Sequence, residues 1–110
     1  MLSIVLKTLR IANDYKTKDV AERAGCTPAY ICSLEAGKRG LSLTSIKKLA
    51  VALNVTAGTI VLFDEIQEKY NLDYKQTLFM ILGYYIHGQE QFLNFVSNTF
   101  DTKSTSSLKK

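Results

Sequence analysis

The chain has 110 residues, 46% apolar and 22% charged, enough for one soluble domain with a packed core and an appended segment. One proline and six glycines leave few points that break helices, which points to an all-α fold. Two cysteines and one histidine cannot fill a structural zinc site within one chain, so Cys26 and Cys32 read as reduced thiols, with no metal and no cofactor expected. Enzymatic chemistry is excluded on similar grounds. His87 lies far in sequence from both cysteines, no glycine loop is shaped to cradle phosphate, and no carboxylate pair stands out.

The net charge of +4 is unevenly placed. Residues 1–40 carry +3, residues 41–72 balance at zero, residues 73–100 carry −1 and the last ten carry +2. A basic N-terminal part is what a polyanion-binding surface requires. The start, MLSIVLKTLR, lacks a cleavage site and is interrupted by Lys7, so it is no convincing secretory signal. The longest apolar run, Leu78 to Ile86, is far below the ~20 residues needed to span a bilayer. A cytoplasmic protein with no membrane partner is expected.

Taken in order, Leu2 to about Asn13 forms the first helix, because Leu2, Val5, Leu6 and Leu9 make one apolar stripe. Asn13-Asp14-Tyr15 is a polar turn, and Thr17 is placed to cap a second helix from which Lys18 and Arg23 point outward. Val20, Ala21 and Ala24 give that helix its inner face. Gly25 stops it, since glycine takes the left-handed conformation without steric cost. Thr27 is a good N-cap for a third helix, and Pro28 suits its first position, where a missing N–H does no harm. Ile31 and Leu34 supply the buried face of this helix, and Gly37 ends it. Two short helices joined by a tight turn make a helix-turn-helix, whose second helix can lie in the DNA major groove. Lys38-Arg39-Gly40 is a basic loop. A fourth helix follows, with Ile46, Leu49, Ala50 and Leu53 inward and Asn54 as its C-terminal cap. Thr56 starts a fifth helix through Ile60, Val61 and Leu62, continuing towards Tyr70.

The series Leu6, Leu9-Arg10, Thr17, Val20-Ala21, Ala24-Gly25, Thr27, Ile31, Leu34-Glu35, Gly37-Lys38, Ile46, Leu49-Ala50 and Leu53-Asn54-Val55 resembles the five-helix DNA-binding domain of phage repressors and Cro. The same domain occurs in the xenobiotic-response-element group of bacterial regulators. The resemblance covers residues 2–63, and one departure from it is Leu41, where members often carry a proline. It implies a DNA-binding domain at 1–63; beyond it, residues 64–100 read as a helical segment, and residues 101–110, Ser/Thr-rich with terminal lysines, read as a disordered tail. The resemblance also implies that Arg10 and Glu35 pair, clamping the first helix to the end of the third.

The outward residues of the third helix are Pro28, Ala29, Tyr30, Cys32 and Ser33, and by family analogy Pro28, Ala29 and Ser33 face the groove. The set holds no Arg, Gln or Asn for a bidentate base contact. Direct readout should therefore be weak, with a larger share from DNA shape and phosphates. Lys38 and Arg39 are the chief phosphate candidates, with Lys18 and with Thr17 and Thr27 at helix N-termini; Arg10 could share a phosphate.

Residues 71–100 lie outside the resemblance and are strongly apolar. Leu78, Leu82 and Tyr85 step at helical spacing. Phe92, Phe95, Val96, Thr99 and Phe100 repeat it in a second helix, with the junction at Gly88 or, less favourably, Gly83. A buried strand over Leu78–Ile86 is the alternative, since periodicity alone does not decide. Such a segment either folds back onto the head or pairs with a second chain. Pairing is favoured, with Leu78, Leu82, Tyr85, Phe92, Phe95 and Val96 as the dimer face, because two-fold dimers match palindromic operators. A pocket for a peptide or small effector is the lesser option, and His87 reads as exposed at a helix end. The resulting expectation is a homodimeric, sequence-specific regulator of double-stranded DNA, a repressor of a phage, plasmid or mobile-element operon. The alternative is an antitoxin or adaptor that binds a protein partner through residues 71–100.

Overall fold

The computed structural model describes residues 2–101, and all regular elements among them are helical. They are α1 (Leu2–Ala12), α2 (Thr17–Ala24), α3 (Pro28–Glu35), α4 (Leu43–Ala52), α5 (Ala57–Tyr70) and α6 (Tyr74–Val96), followed by a π-helical turn at Ser97–Asp101. The tail expected to be disordered lies, apart from Asp101, outside the described residues.

The helix boundaries follow local chemistry. Gly25 sits at φ 72, ψ 37 and closes α2, with the Cys26 N–H donating to the Ala21 carbonyl at 2.9 Å. Thr27, Ser42 and Thr56 cap α3, α4 and α5, each hydroxyl accepting a backbone N–H three residues on. Asp73 and Gln76 form a reciprocal capping box at the start of α6. One cap differs from expectation. Lys16, not Thr17, holds the extended backbone before α2, and its N–H donates to the Asp19 carboxylate at 2.8 Å. Thr17 is already the first helical residue. Asn54 takes the left-handed conformation just after α4, with Leu53 as the terminal residue.

Val5, Leu6 and Leu9 of α1, Val20 and Ala21 of α2, and Ile31 and Leu34 of α3 meet Leu49, Ala50 and Leu53 in a shared core. Thr8 is equally buried, its hydroxyl donating to the Ile4 and Val5 carbonyls.

The C-terminal segment folds back onto this head. Residues 74–87 run alongside α1. The Lys7 ammonium lies over the Tyr74 ring, and Asn13 donates to the Tyr85 hydroxyl further along. At Gly88 the backbone leaves the helix at φ 79, ψ 169, a conformation that side chains with a Cβ rarely adopt. The chain then returns antiparallel. Phe95 meets Phe79 and stacks on His87, while Phe92 meets Tyr84. Tyr70 and Phe100 pack together, and the Tyr70 hydroxyl donates to the Asp101 carboxylate. That bond and burial push the Tyr70 phenol up to about 12. Gly88 is thus the reversal, and the strand alternative is excluded.

This arrangement corrects the expected dimer face. Phe92 and Val96 are buried in the chain's own core, with Phe92 against Phe63 of α5 at 5.6 Å. Leu78 and Phe95 are half-buried. Leu82 and Tyr85 remain on the surface. The aromatic side chains find each other within one chain because the reversal at Gly88 brings the two arms together before any partner is needed.

Gly83 has a different role from Gly88. A Cβ there would lie 2.1 Å from the Phe95 ring, so glycine is what lets the return arm approach. Gly83→Ala should cost about 1–3 kcal/mol through displacement of that ring. Phe95→Ala added to it should recover part of the loss in a urea-unfolding cycle. Strictly additive single and double variants would refute the close-approach account.

Candidate nucleic-acid interface

The third helix is short, and its two faces divide cleanly. Ile31 and Leu34 are buried, while Thr27, Pro28, Ala29 and Cys32 are exposed and Tyr30 and Ser33 are half-buried. The Thr27 hydroxyl accepts the Tyr30 N–H at 3.1 Å and fixes the start of the helix. The outward set thus presents one hydroxyl at Ser33, one thiol at Cys32 and the small surface of Ala29, as the spacing predicted.

Tyr30 departs from the fully outward position. Its ring lies under the Arg39 guanidinium, 5.2 Å from centroid to Cζ. It also lines a cavity of ≈ 200 Å³ with Gly25, Cys26, Ser45 and Lys48. The stacking holds a basic loop residue against α3, an arrangement worth about 0.5–1 kcal/mol at an exposed site. Lys38 continues from α3, its N–H donating to the Ser33 carbonyl at 2.9 Å. A cation from the loop and another from α4 therefore flank the same helix. Reasoning from the sequence assigned neither Ser45 nor Lys48 to this surface, because α4 is read there only for its inner stripe. The paired Lys47-Lys48, off that stripe and exposed, was the available signal. The Cys26 thiol is pushed up by burial, partly opposed by Lys48.

Lys18 is exposed on α2 and Thr17 is half-buried at its first turn. Arg23 is not free. Its guanidinium donates to the Ala52 carbonyl at 2.9 Å and to the Asn54 side chain at 3.1 Å, and it stacks on Tyr15. It thereby satisfies carbonyl groups at the end of α4, which helical periodicity could not reveal.

Arg10 and Glu35 form the pair that the resemblance implied. Arg10 Nε and a terminal guanidinium nitrogen donate to the two carboxylate oxygens at 2.6 and 2.9 Å, and the other terminal nitrogen donates to the Tyr15 carbonyl at 2.9 Å. The side chains are 15% and 10% exposed. The hydrogen bond to Glu35 raises the Arg10 pKa, against the opposing effect of burial. The fork faces inward, so the phosphate share expected of Arg10 has no open face to come from. Arg10 is instead the clamp between α1 and α3.

Two helices at a tight left-handed turn, the second presenting an open polar edge flanked by cations, define a helix-turn-helix DNA-binding domain. The family model for the Cro/C1-type helix-turn-helix matches residues 6–60, and the chain belongs to that family. Its class is that of DNA-binding transcriptional regulators. No curated protein and no solved structure matches the chain. No single helix among the described residues is long and apolar enough to cross a membrane.

Proposed function

We propose that this protein is a sequence-specific transcriptional regulator that represses by occupying a palindromic operator as two copies. The observation that carries the reading is the junction of α3 with its flanking cations. Pro28, Ala29, Cys32 and Ser33 face the major groove, with Tyr30 beside them holding Arg39. Lys38, Arg39 and Lys18 neutralise phosphates, joined by Lys48 and by the donors at Thr17 and Thr27. Ala29 suits a thymine methyl and Ser33 bonds to several bases, so direct readout is sparse. Shape and phosphate contacts then supply most of the affinity. A single domain so equipped binds weakly, and two half-sites one helical turn apart offset this.

Selection of bound duplexes from a random DNA library, with retention compared at low and physiological salt, tests the reading. A palindrome should be enriched. Lys38→Ala with Arg39→Ala should weaken binding to all sequences alike and lower the magnitude of the salt slope by about 2. Retention at low salt alone, with no enriched sequence, would sink the regulator. The absence of Arg, Asn and Gln from the outward face of α3 favours one second reading. In it the chain is an antitoxin or adaptor that binds a protein through its C-terminal segment, and the same double variant would leave partner affinity unchanged.

A further inference from the structure

A cavity of ≈ 510 Å³ opens where the end of α5, the start of α6 and the π-helical turn meet. Its size falls inside the ~300–1,000 Å³ of ordinary small-molecule sites. Aromatic rings line it. Tyr70 and Phe100 pack together with centroids 5.5 Å apart, and Phe79 is braced by Phe95 at 5.7 Å. Leu72 adds a buried apolar side chain to the lining. Phe79 is nevertheless 54% exposed, so a ring laid against it would remove apolar surface from water. The π-helical turn supplies Thr99 and Phe100 to the same cavity, and such turns are found frequently at functional sites. The whole lining falls outside residues 6–60, the part matched by the family model.

The polar groups of the lining decide which chemistry fits. They are Lys69, Gln76 and Thr99, and no Asp or Glu lines the cavity. The Lys69 ammonium is held over the Tyr70 ring, 5.2 Å from its centroid, and no carboxylate among the described residues pairs with it. The Gln76 side-chain oxygen accepts the Asp73 N–H at 3.0 Å, which leaves its amide nitrogen as the donating end. The Thr99 hydroxyl makes no hydrogen bond among the described residues. The Asp101 carboxylate accepts the Tyr70 hydroxyl and is not part of the lining. Ammonium, amide N–H and hydroxyl all donate, and together they complement an anion. The cavity beside Arg39 differs, because Asp64 and Glu68 line it as well. The ring walls favour an aromatic body, which stacks or packs edge-on against them.

We propose that this cavity binds a small aromatic carboxylate, its ring among Tyr70, Phe79 and Phe100 and its carboxylate on Lys69, Gln76 and Thr99. Such a ligand ties the π-helical turn to α5 and α6, so its binding stabilises the closed return arm. The site goes beyond the proposed function and stands without it, since no residue of the DNA-facing surface takes part.

Titration of the isotope-labelled full chain with 3-phenylpropionate, followed by backbone amide NMR shifts and without DNA, tests this. Saturable shifts should centre on residues 69–79 and 97–101, and amide exchange in the π-helical turn should slow. The neutral 3-phenylpropionamide should bind about fivefold more weakly, the worth of one exposed ion pair. Acetate, which has no ring, should not saturate. Lys69→Gln should bring the acid down to the affinity of the amide, with the exposed position leaving the fold intact. Phe79→Leu, which keeps an apolar contact with Phe95, should weaken acid and amide alike. No saturable binding, equal affinity for acid and amide, indifference to Lys69→Gln, or shifts centred on α3 and the Lys38-Arg39 loop would overturn the proposal. So would shifts that follow protein concentration, the mark of a second copy, or binding seen only after removal of residues 102–110, the mark of the chain's own tail.

Discussion

Phe63→Ala is expected to cost about 3–5 kcal/mol, a large part of the ~5–15 kcal/mol by which a domain is ordinarily stable. Phe63 on α5 is fully buried, and its ring meets Tyr84 at 5.2 Å and Phe92 at 5.6 Å, both edge-on. Those two rings belong to the outgoing and returning arms of α6. One side chain of the helix-turn-helix head therefore reaches both halves of the hairpin, and truncating it removes transfer energy and leaves a void lined by aromatics. The melting temperature should fall by more than about 10 °C. The informative readout is where the loss is felt. If head and hairpin are one cooperative unit, hydrogen exchange should lose protection in α1 and α6 together. Protection lost in α6 alone, with α1 unchanged, would mean that the hairpin opens separately and that Phe63 is not the link described.

Glu35→Ala should be nearly as costly, at about 3 kcal/mol, because it leaves the Arg10 guanidinium largely buried without its counter-ion. The pair is bidentate and mostly shielded, unlike a surface ion pair of little worth. Replacing both partners, Arg10→Met with Glu35→Leu, should restore much of the stability, since the desolvation cost disappears with the charges. The midpoint of urea unfolding separates the cases. A double variant no more stable than Glu35→Ala would show that the cost is lost shape rather than a stranded charge. The consequence for DNA binding is geometric, because the clamp sets the angle at which α3 leaves α1. Glu35→Ala should thus lower operator affinity even where the protein remains folded.

The helix-turn-helix was legible because its information is local. Gly25 at the turn, Thr27 and Pro28 at the start of α3, and the paired Ile31 and Leu34 each specify a backbone conformation or a buried face within a few residues. They agree with one another, and such agreement across levels is what makes a short motif readable. The same locality explains the single-residue error at Thr17. A threonine and a lysine before Asp19 both precede an apolar run, and only the extended backbone at Lys16 tells the cap from the first helical position. At the site, the exposed residues of α3 were legible from periodicity. The contributions from other elements were not. Arg39 against Tyr30, and Lys48 beside the same ring, join positions nine and eighteen residues apart along the chain. No periodicity links them, because a cation can stack on a ring from any element that the fold happens to bring near.

Arg23 and the C-terminal hairpin carry the same lesson. Outward helical spacing pointed Arg23 away from the inner face, but the end of α4 offers the Ala52 carbonyl and the Asn54 side-chain oxygen within its reach. Apolar spacing in residues 78–100 favoured two helical arms with Gly88 ahead of Gly83 as their junction, since such spacing depends on neighbours along the chain. It could not say which apolar side chains face inward. A segment apolar on every side has no polar face to mark the direction of solvent, and Phe92 and Ile86 look alike in it. The sequence alone thus pointed to an all-α chain and the helix-turn-helix, and it favoured Gly88 over Gly83 as the breakpoint, while the choice between helix and strand over Leu78–Ile86 was decided by the fold. Which face of α6 is buried against α1, Phe63 and Phe95, and which is left open at Phe79, Leu82 and Ile86, was settled by three-dimensional packing, because burial belongs to the assembled elements and not to any residue in isolation.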